Sequence, residues 1–172
     1  SGGQYKYGTT DISRTISLNK QTKKIKDIFT YVLKGHIAVV SANLNKIKNA
    51  NLLDNLARKF LNIKGLDYPH GTGHGVGQFL SVHEGPQRLS RTSKVPFETG
   101  MIISNEPGFY KEGHFGIRIE NLLAVTKAPK LENSTVDEMF IFETLNFVPI
   151  DKNLIDISLM TNEEKDRLKE YH

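Results

Sequence analysis

The sequence predicts an α+β fold. Three observations predict it: an extended stretch of alternating residues near the start, two amphipathic helical patterns after it, and a second half in which strand signals return. The 172 residues are enough for one domain or a large part of one, with a core that needs no staples. Charged residues make up 24% and the AVILMFWYC set 38%, a globular balance that excludes disordered and collagen-like chains.

Gln4–Leu18 reads as one extended stretch. Thr9, Asp11, Ser13 and Thr15 share one parity and Ile12, Ile16 and Leu18 the other, so a half-buried strand with Asp11 on its polar face is expected. From Thr22 the period changes. Ile25, Ile28, Phe29, Val32, His36 and Val40 recur at three- and four-residue steps, as on one face of a helix. Gly35 inside that helix costs about 1 kcal/mol relative to Ala, so close packing is expected to require it. Leu53, Leu56, Ala57, Phe60 and Leu61 predict a second helix ending near Gly65. Strand signals follow at Met101–Glu106, Gly116–Thr126 and Met139–Val148, with Lys127–Asp137 as a polar connection. Thr161-x-x-Glu164 is a capping box that opens a short final helix. The chain shows no internal repeat, low-complexity tract or clear interdomain linker.

Several function classes drop out. No apolar run approaches the ~18–20 residues needed to span a bilayer, so no membrane partner is expected. With no cysteine, disulfides, Cys-ligated zinc, iron–sulfur clusters and thiol catalysis are excluded, which is compatible with a reducing cytosol. There are 23 basic and 19 acidic side chains, a net charge of +4 that permits polyanion binding without demanding it. Lys20-x-x-Lys23-Lys24-x-Lys26 reads as a solvated helix face, and no nucleic acid partner is expected. Ser1-Gly2-Gly3-Gln4-Tyr5 carries no initiator Met and no targeting pattern, so a fragment is expected.

The densest polar chemistry lies between Tyr68 and Pro86, where His70, His74 and His83 are interleaved with Gly71, Gly73, Gly75 and Gly77. Glycine there lets the backbone come close to an ion or substrate, and neutral imidazole binds most divalent metals. His83-Glu84-Gly85-Pro86-Gln87 is not a zincin helix, because Gln87 stands where the second His belongs. Dinucleotide, Walker and nucleophile-elbow patterns are also missing. Glu106 ends an apolar strand before Pro107-Gly108, and Arg118 and Glu120 share a parity. Asp11, Glu106 and Glu120 are each expected on a strand with an apolar opposite face. If those strands are neighbours, three carboxylates converge, and like charges so close need cations. Oxygen-rich ligands plus one imidazole suit a harder divalent ion such as manganese.

The chain resembles the catalytic domain of the Xaa-Pro aminopeptidases (aminopeptidase P), which belong with prolidase, creatinase and methionine aminopeptidase to the pita-bread metallopeptidases. The resemblance rests on Ser1-Gly-Gly-Gln-Tyr5, Gly8-Thr-Thr-Asp-Ile-Ser-Arg-Thr15 and Val32-Leu-Lys-Gly-His-Ile37. It continues through His70-Gly-Thr-Gly-His-Gly-Val-Gly77, Val82-His-Glu-Gly-Pro86, Asn105-Glu-Pro-Gly-Phe-Tyr110 and Gly116-Ile-Arg-Ile-Glu-Asn121. Val148-Pro-Ile-Asp151 and Leu154-Ile-Asp156 match the tail of the family's long form. Pro69 stands where the family usually has Gly, and the last helix lacks the Trp that the family often has.

The resemblance implies a truncated pita-bread fold, with a curved, mostly antiparallel sheet under covering helices. Residues 1–172 would be part of a catalytic peptidase domain, with a tail from about 148 to 172. It implies two divalent ions, manganese foremost with zinc or cobalt as alternatives, on Asp11, His74, Glu106 and Glu120. The family's first metal aspartate would precede Ser1, so the 172 residues alone are expected to hold metal poorly and to be inactive or impaired. The implied reaction removes the first residue from peptides with proline second, by attack of a metal-bridging hydroxide. Glu106 would shuttle the proton, His70 and His83 would hold the peptide and stabilise the oxyanion, and Arg118 would orient the carboxylates. A cytoplasmic homodimer is also implied. The alternatives are a non-catalytic pita-bread binding module or a different pita-bread hydrolase such as prolidase. Four intact ligand positions favour an enzyme over the first, and the His70–Gly77 and Val82–Pro86 words and the tail favour the aminopeptidase over the second.

Overall fold

The computed structural model describes residues 2–47, 49–78, 81–129 and 138–172. β1 (Gly2–Tyr5) and β2 (Gly8–Asp11) pair antiparallel with Tyr5 opposite Gly8, so Lys6 and Tyr7 form a two-residue turn. The single stretch expected over Gln4–Leu18 is therefore a hairpin followed by irregular chain. Alternation along one strand does not mark a reversal this tight. The buried parity also differs from expectation. Asp11 is buried, while Ile16 and Leu18 are 67% and 86% exposed. The polar side is drawn inward by distant partners: Ser13 bridges to Glu120, and the Thr15 hydroxyl accepts from Arg118 N at 3.0 Å.

α1 (Lys23–Val40) starts at Thr22, whose hydroxyl accepts from Ile25 N at 3.4 Å. α2 (Ala50–Asn62) packs across it, and Gly65 lies three residues beyond its end. Gly35 is required at the crossing. A Cβ there would lie 2.1 Å from the Ala57 carbonyl oxygen, so only glycine lets the helices come this close.

Two short strands, β3 (Gly73–His74) and β4 (Arg88–Leu89), pair antiparallel, with His74 opposite Arg88. β5 (Ile102–Asn105) follows, then a hairpin of β6 (Gly108–Lys111) and β7 (Phe115–Arg118), then β8 (Asn121–Lys127) and β9 (Phe140–Thr144). β5, β8 and β9 form an antiparallel sheet in that order, with Leu123 paired to both Ile103 and Thr144. The strand expected over Gly116–Thr126 is broken at Ile119 and Glu120. There the chain changes partners: Ile119 N donates to Pro107 O at 3.3 Å and Glu120 N to Ser13 O at 3.0 Å. Of the polar connection expected over Lys127–Asp137, residues 130–137 lie outside the described residues, as does Ser1.

The core has two parts. Val39, Leu53, Ala57, Leu89, Ile103, Leu123 and Phe142 join the helices to the sheet. Phe29, Val32 and Leu33 on the other side of α1 pack with Ile117, Ile119, Ile150, Leu154 and Met160, which docks the C-terminal segment. α3 (Asn162–Tyr171) begins with the expected capping box of Thr161 and Glu164. The buried Lys34 of α1 reaches the same Glu164 at 2.5 Å and the Leu159 carbonyl at 2.8 Å, pinning α3 to the core. Among the described residues no helix is long and apolar enough to cross a membrane.

Candidate metal centre

Four segments far apart in sequence converge on one point. Asp11 ends β2, His74 ends β3, Glu106 follows β5 and Glu120 sits in the break between β7 and β8. Glu106 stands at the end of its strand as expected, but Asp11 and Glu120 do not lie mid-strand, so strand parity does not explain the convergence. They stand at strand ends, where the backbone partners change: Glu106 N donates to Thr72 O at 2.7 Å, and Glu120 N to Ser13 O. Gly73 lets these strands approach, since a Cβ there would lie 1.8 Å from the Ser104 carbonyl oxygen. That close approach is between backbones, not toward a ligand as the glycine spacing led us to expect.

His74 sets the chemistry. Its Nδ1 lies 2.9 Å from the Gly75 carbonyl, which can only accept, so Nδ1 carries the proton and Nε2 presents a lone pair. That Nε2 is 3.3 Å from Asp11 Oδ2 and 3.4 Å from Glu106 Oε1. It is buried and has no hydrogen-bond partner. Burial holds the His74 pKa below its ordinary value, which keeps the ring neutral. A lone pair facing carboxylate oxygens is unfavourable unless something positive sits among them. The donor set therefore fits a divalent cation. Ligand atoms of His74, Glu106 and Glu120 lie within 4.8 Å of one another, as do those of Asp11, His74 and His83.

The carboxylates are oriented by groups that the sequence reading left without a role. The Ser13 hydroxyl donates to Glu120 Oε2 at 2.5 Å. The Ser104 hydroxyl donates to Glu106 Oε1 at 3.1 Å and accepts from His74 N at 2.9 Å. Burial, and then the charge of Glu120, pushes the Glu106 pKa up to about 7. Arg118 Nε lies 3.8 Å from Glu106 Oε2 and donates to the Tyr110 hydroxyl at 2.8 Å. That hydroxyl is in turn 2.8 Å from His70 Nε2, while His70 Nδ1 is 2.7 Å from Gly71 O. Arg118, Tyr110 and His70 thus form a directed chain of donors. Ser104 was visible in principle, since it lies two residues from the Glu106 that it orients and shares its parity; Ser13 was not, since the Glu120 that it orients lies 107 positions away. Tyr110 had no local signal beyond its place in the Asn105–Tyr110 word.

His70, His74, His83, Glu106 and Arg118 line a cleft of about 520 Å³. Asp11 and Glu120 are more deeply buried. All seven site residues expected from the sequence thus meet in one region. His83 stands nearer the cluster than a substrate-side role required, with its ring 4.0 Å from that of His74.

Comparison with known proteins bears on this arrangement. The family model for metallopeptidase family M24 matches residues 1–127, and that for the C-terminal region of peptidase M24 matches residues 138–172. A probable Xaa-Pro aminopeptidase P of Laccaria bicolor is 46% identical over 100% of this chain and 27% of its own length. Aminopeptidase P2 of Arabidopsis thaliana is 47% identical, again over 100% of this chain and 24% of its own. Among solved structures, an X-prolyl aminopeptidase from Caenorhabditis elegans superposes with a TM-score of 0.90. It is 38% identical, with 99% of this chain and 28% of that one covered, and is described as a cytosolic enzyme with a di-nuclear active site. The prolidase from Pyrococcus furiosus is more distant, with a TM-score of 0.65, 32% identity, and 73% of this chain and 36% of that one covered. The chain spans less than a third of the length of the two curated relatives.

Proposed function

The chain belongs to metallopeptidase family M24 and has its α+β pita-bread architecture. From that premise we propose that the protein carrying it is an aminopeptidase that removes the first residue from peptides with proline in second position. The observation that carries this reading is the buried, unpartnered Nε2 of His74 among three carboxylates from separate segments. Residues 1–172 are read as a large part of the catalytic domain, with residues from about 148 onward as its tail. The reading includes a cytoplasmic homodimer whose partners are proline-containing peptides. The nematode structure's cytosolic description supports the location.

In this reading Asp11, His74, Glu106 and Glu120 would be ligands to two divalent ions, and their oxygen-rich character favours manganese over softer metals. Such a pair supplies Lewis acidity toward a carbonyl oxygen and water with a pKa lowered to about 7. The remaining chemistry belongs to side chains of this chain. Glu106, fixed by Ser104 and flanked by Arg118, moves a proton to the departing proline nitrogen. His70 and His83 line the cleft where the peptide backbone lies; His83 donates to a carbonyl oxygen as charge develops there, while His70, with Nδ1 on the Gly71 carbonyl and Nε2 on the Tyr110 hydroxyl, forms the wall against which the peptide is held. Arg118 holds Tyr110 and through it His70, which keeps the peptide-binding side in register with Glu106. The test is the release of the first residue from Ala-Pro-Ala by the full-length protein loaded with manganese, followed by chromatography. Release that stops with a chelator and returns with added manganese is the expected outcome. Absence of release from the loaded protein overturns the reading.

A further inference from the structure

The cleft has a second charged group that neither the cluster nor the fold uses. Arg88 lines it, on the wall formed by β3 and β4. The register places Arg88 directly across from His74. Residues directly opposite in an antiparallel pair project from the same face with Cβ atoms about 4.5–5.5 Å apart. The guanidinium therefore belongs to the same opening as the imidazole, but Arg88 is exposed where His74 is largely covered.

The other five arginines are engaged. Arg14 bonds the Glu120 and Val148 carbonyls, and Arg58 and Arg91 pair with Asp54 and Asp67. Arg118 faces Glu106, and Arg167 faces Glu170. Among the described residues, Arg88 has neither an ion pair nor a hydrogen bond. Glu84 lines the same cleft, but its carboxylate lies against Gly77, where an added Cβ would meet Oε2 at 1.9 Å. Ser90 and Thr92, two and four residues after Arg88, line the same cleft.

The cleft therefore has the candidate metal ligands His74 and Glu106 in its lining and a free planar cation at its mouth. A peptide laid in it is oriented by that cation, which draws a carboxylate toward Arg88. Two residues beyond a scissile carbonyl span about 7 Å, a distance that an arginine side chain based beside His74 covers. A guanidinium with free N–H groups matches a carboxylate in bidentate geometry better than any other common anion on a peptide.

We propose that Arg88, with the Ser90 and Thr92 hydroxyls, forms a carboxylate-binding subsite on the leaving side of the cleft. It reads either the free C-terminus of a tripeptide or an acidic side chain in third position, and so selects among substrates. This inference rests on the peptidase reading above.

The test uses full-length, manganese-loaded protein and three substrates: Ala-Pro-Ala as the free acid, its C-terminal amide, and Ala-Pro-Glu amide. The expected KM for the free acid is about tenfold below that for the amide. In Arg88→Gln that ratio collapses toward one, and Arg88→Lys retains part of it because charge is kept while the planar fork is lost. Ala-Pro-Glu amide behaving like the free acid assigns recognition to side chains as well as chain ends. Behaving like the neutral amide, it assigns recognition to the C-terminus alone. Calorimetry with the dipeptides Pro-Ala and Pro-Ala amide reads the same preference without turnover, about tenfold in the wild type and absent in Arg88→Gln. Equal constants for acid and amide in the wild type, or an unchanged ratio in Arg88→Gln, overturn the subsite and leave the peptidase standing. No release from any of the three substrates overturns both.

Discussion

Two buried ionic clusters lie close together in this molecule and are built in opposite ways. In the first, Arg58 spends all five of its N–H donors on Asp54, Asp67, and the Tyr68 and His70 carbonyls. Its guanidinium also lies over the Tyr68 ring at 3.8 Å. Asp54, fully buried, accepts in addition from Thr72 Oγ1 at 2.7 Å. Burial works to lower the Arg58 pKa, yet these carboxylates hold it above its ordinary value. Charge and hydrogen bonds close within the chain. In the second cluster, Asp11, Glu106 and Glu120 face one neutral imidazole, and the nearest arginine, Arg118, stands 3.8 Å from one carboxylate at the rim. Charge there does not close. A buried cluster that balances itself is a brace; one left acidic around a bare nitrogen lone pair is a socket for cations.

The contrast fails if the two clusters respond alike to loss of a carboxylate. Glu120→Ala in the full-length protein has the largest expected effect on activity. Turnover of Ala-Pro-Ala falls by more than the roughly 10–100-fold typical of groups that only orient a ligand, while thermal stability of the metal-free protein holds or rises because a like charge is gone. Near-normal initial rates would make Glu120 a structural residue. Asp54→Ala has the reverse signature. It leaves Arg58 buried without its main partner, so urea unfolding should show a loss of about 3–5 kcal/mol. A midpoint equal to wild type would mean that the brace carries no load.

A smaller effect separates two unpartnered imidazoles. His36, like His74, has a buried Nε2 with no hydrogen-bond partner. Its surroundings differ: burial, and then the positive charge of Arg14, lower its pKa to about 3, against a smaller opposing effect of Asn121. His36 is thus a neutral core side chain, not a ligand. Because its folded pKa lies below the ordinary 6.5, its contribution is complete above pH 6.5. That contribution is lost as pH falls from there toward about 3, at up to about 1.4 kcal/mol per pH unit. Urea unfolding of wild type and His36→Gln from pH 7 to 4.5 isolates this term. Parallel stability profiles would remove His36 from the account.

What the sequence disclosed follows from how far each interaction reaches. The change of period at Thr22, the Thr161–Glu164 box and the apolar face of α1 were legible because partners a few residues apart record them. Gly35 was legible as a constraint, though not its partner Ala57. The seven residues expected at the site came from the matching words, since no local rule places Asp11, His74, Glu106 and Glu120 together. Ser13 lies 107 positions from the Glu120 that it orients, and such a pairing leaves no periodic trace. Pairing at that range also broke the strand expected over Gly116–Thr126 and turned Asp11 inward while Ile16 and Leu18 stayed out. The Arg58 brace went unread for the same reason. Its residues looked like one more charged helix position and a turn, and only the fold brings Asp54, Asp67 and the His70 carbonyl to one guanidinium.

The most direct test of the socket is to locate the metal. Crystals of the full-length protein grown with manganese, with anomalous data collected near the manganese edge, should show peaks between Asp11, His74, Glu106 and Glu120. Their oxygen and Nε2 atoms should lie within roughly 2.0–2.6 Å of the peaks, the span of divalent metal–ligand bonds. No anomalous density there at saturating manganese, or density only at the Arg58 cluster or the surface, would contradict the assignment of these four side chains.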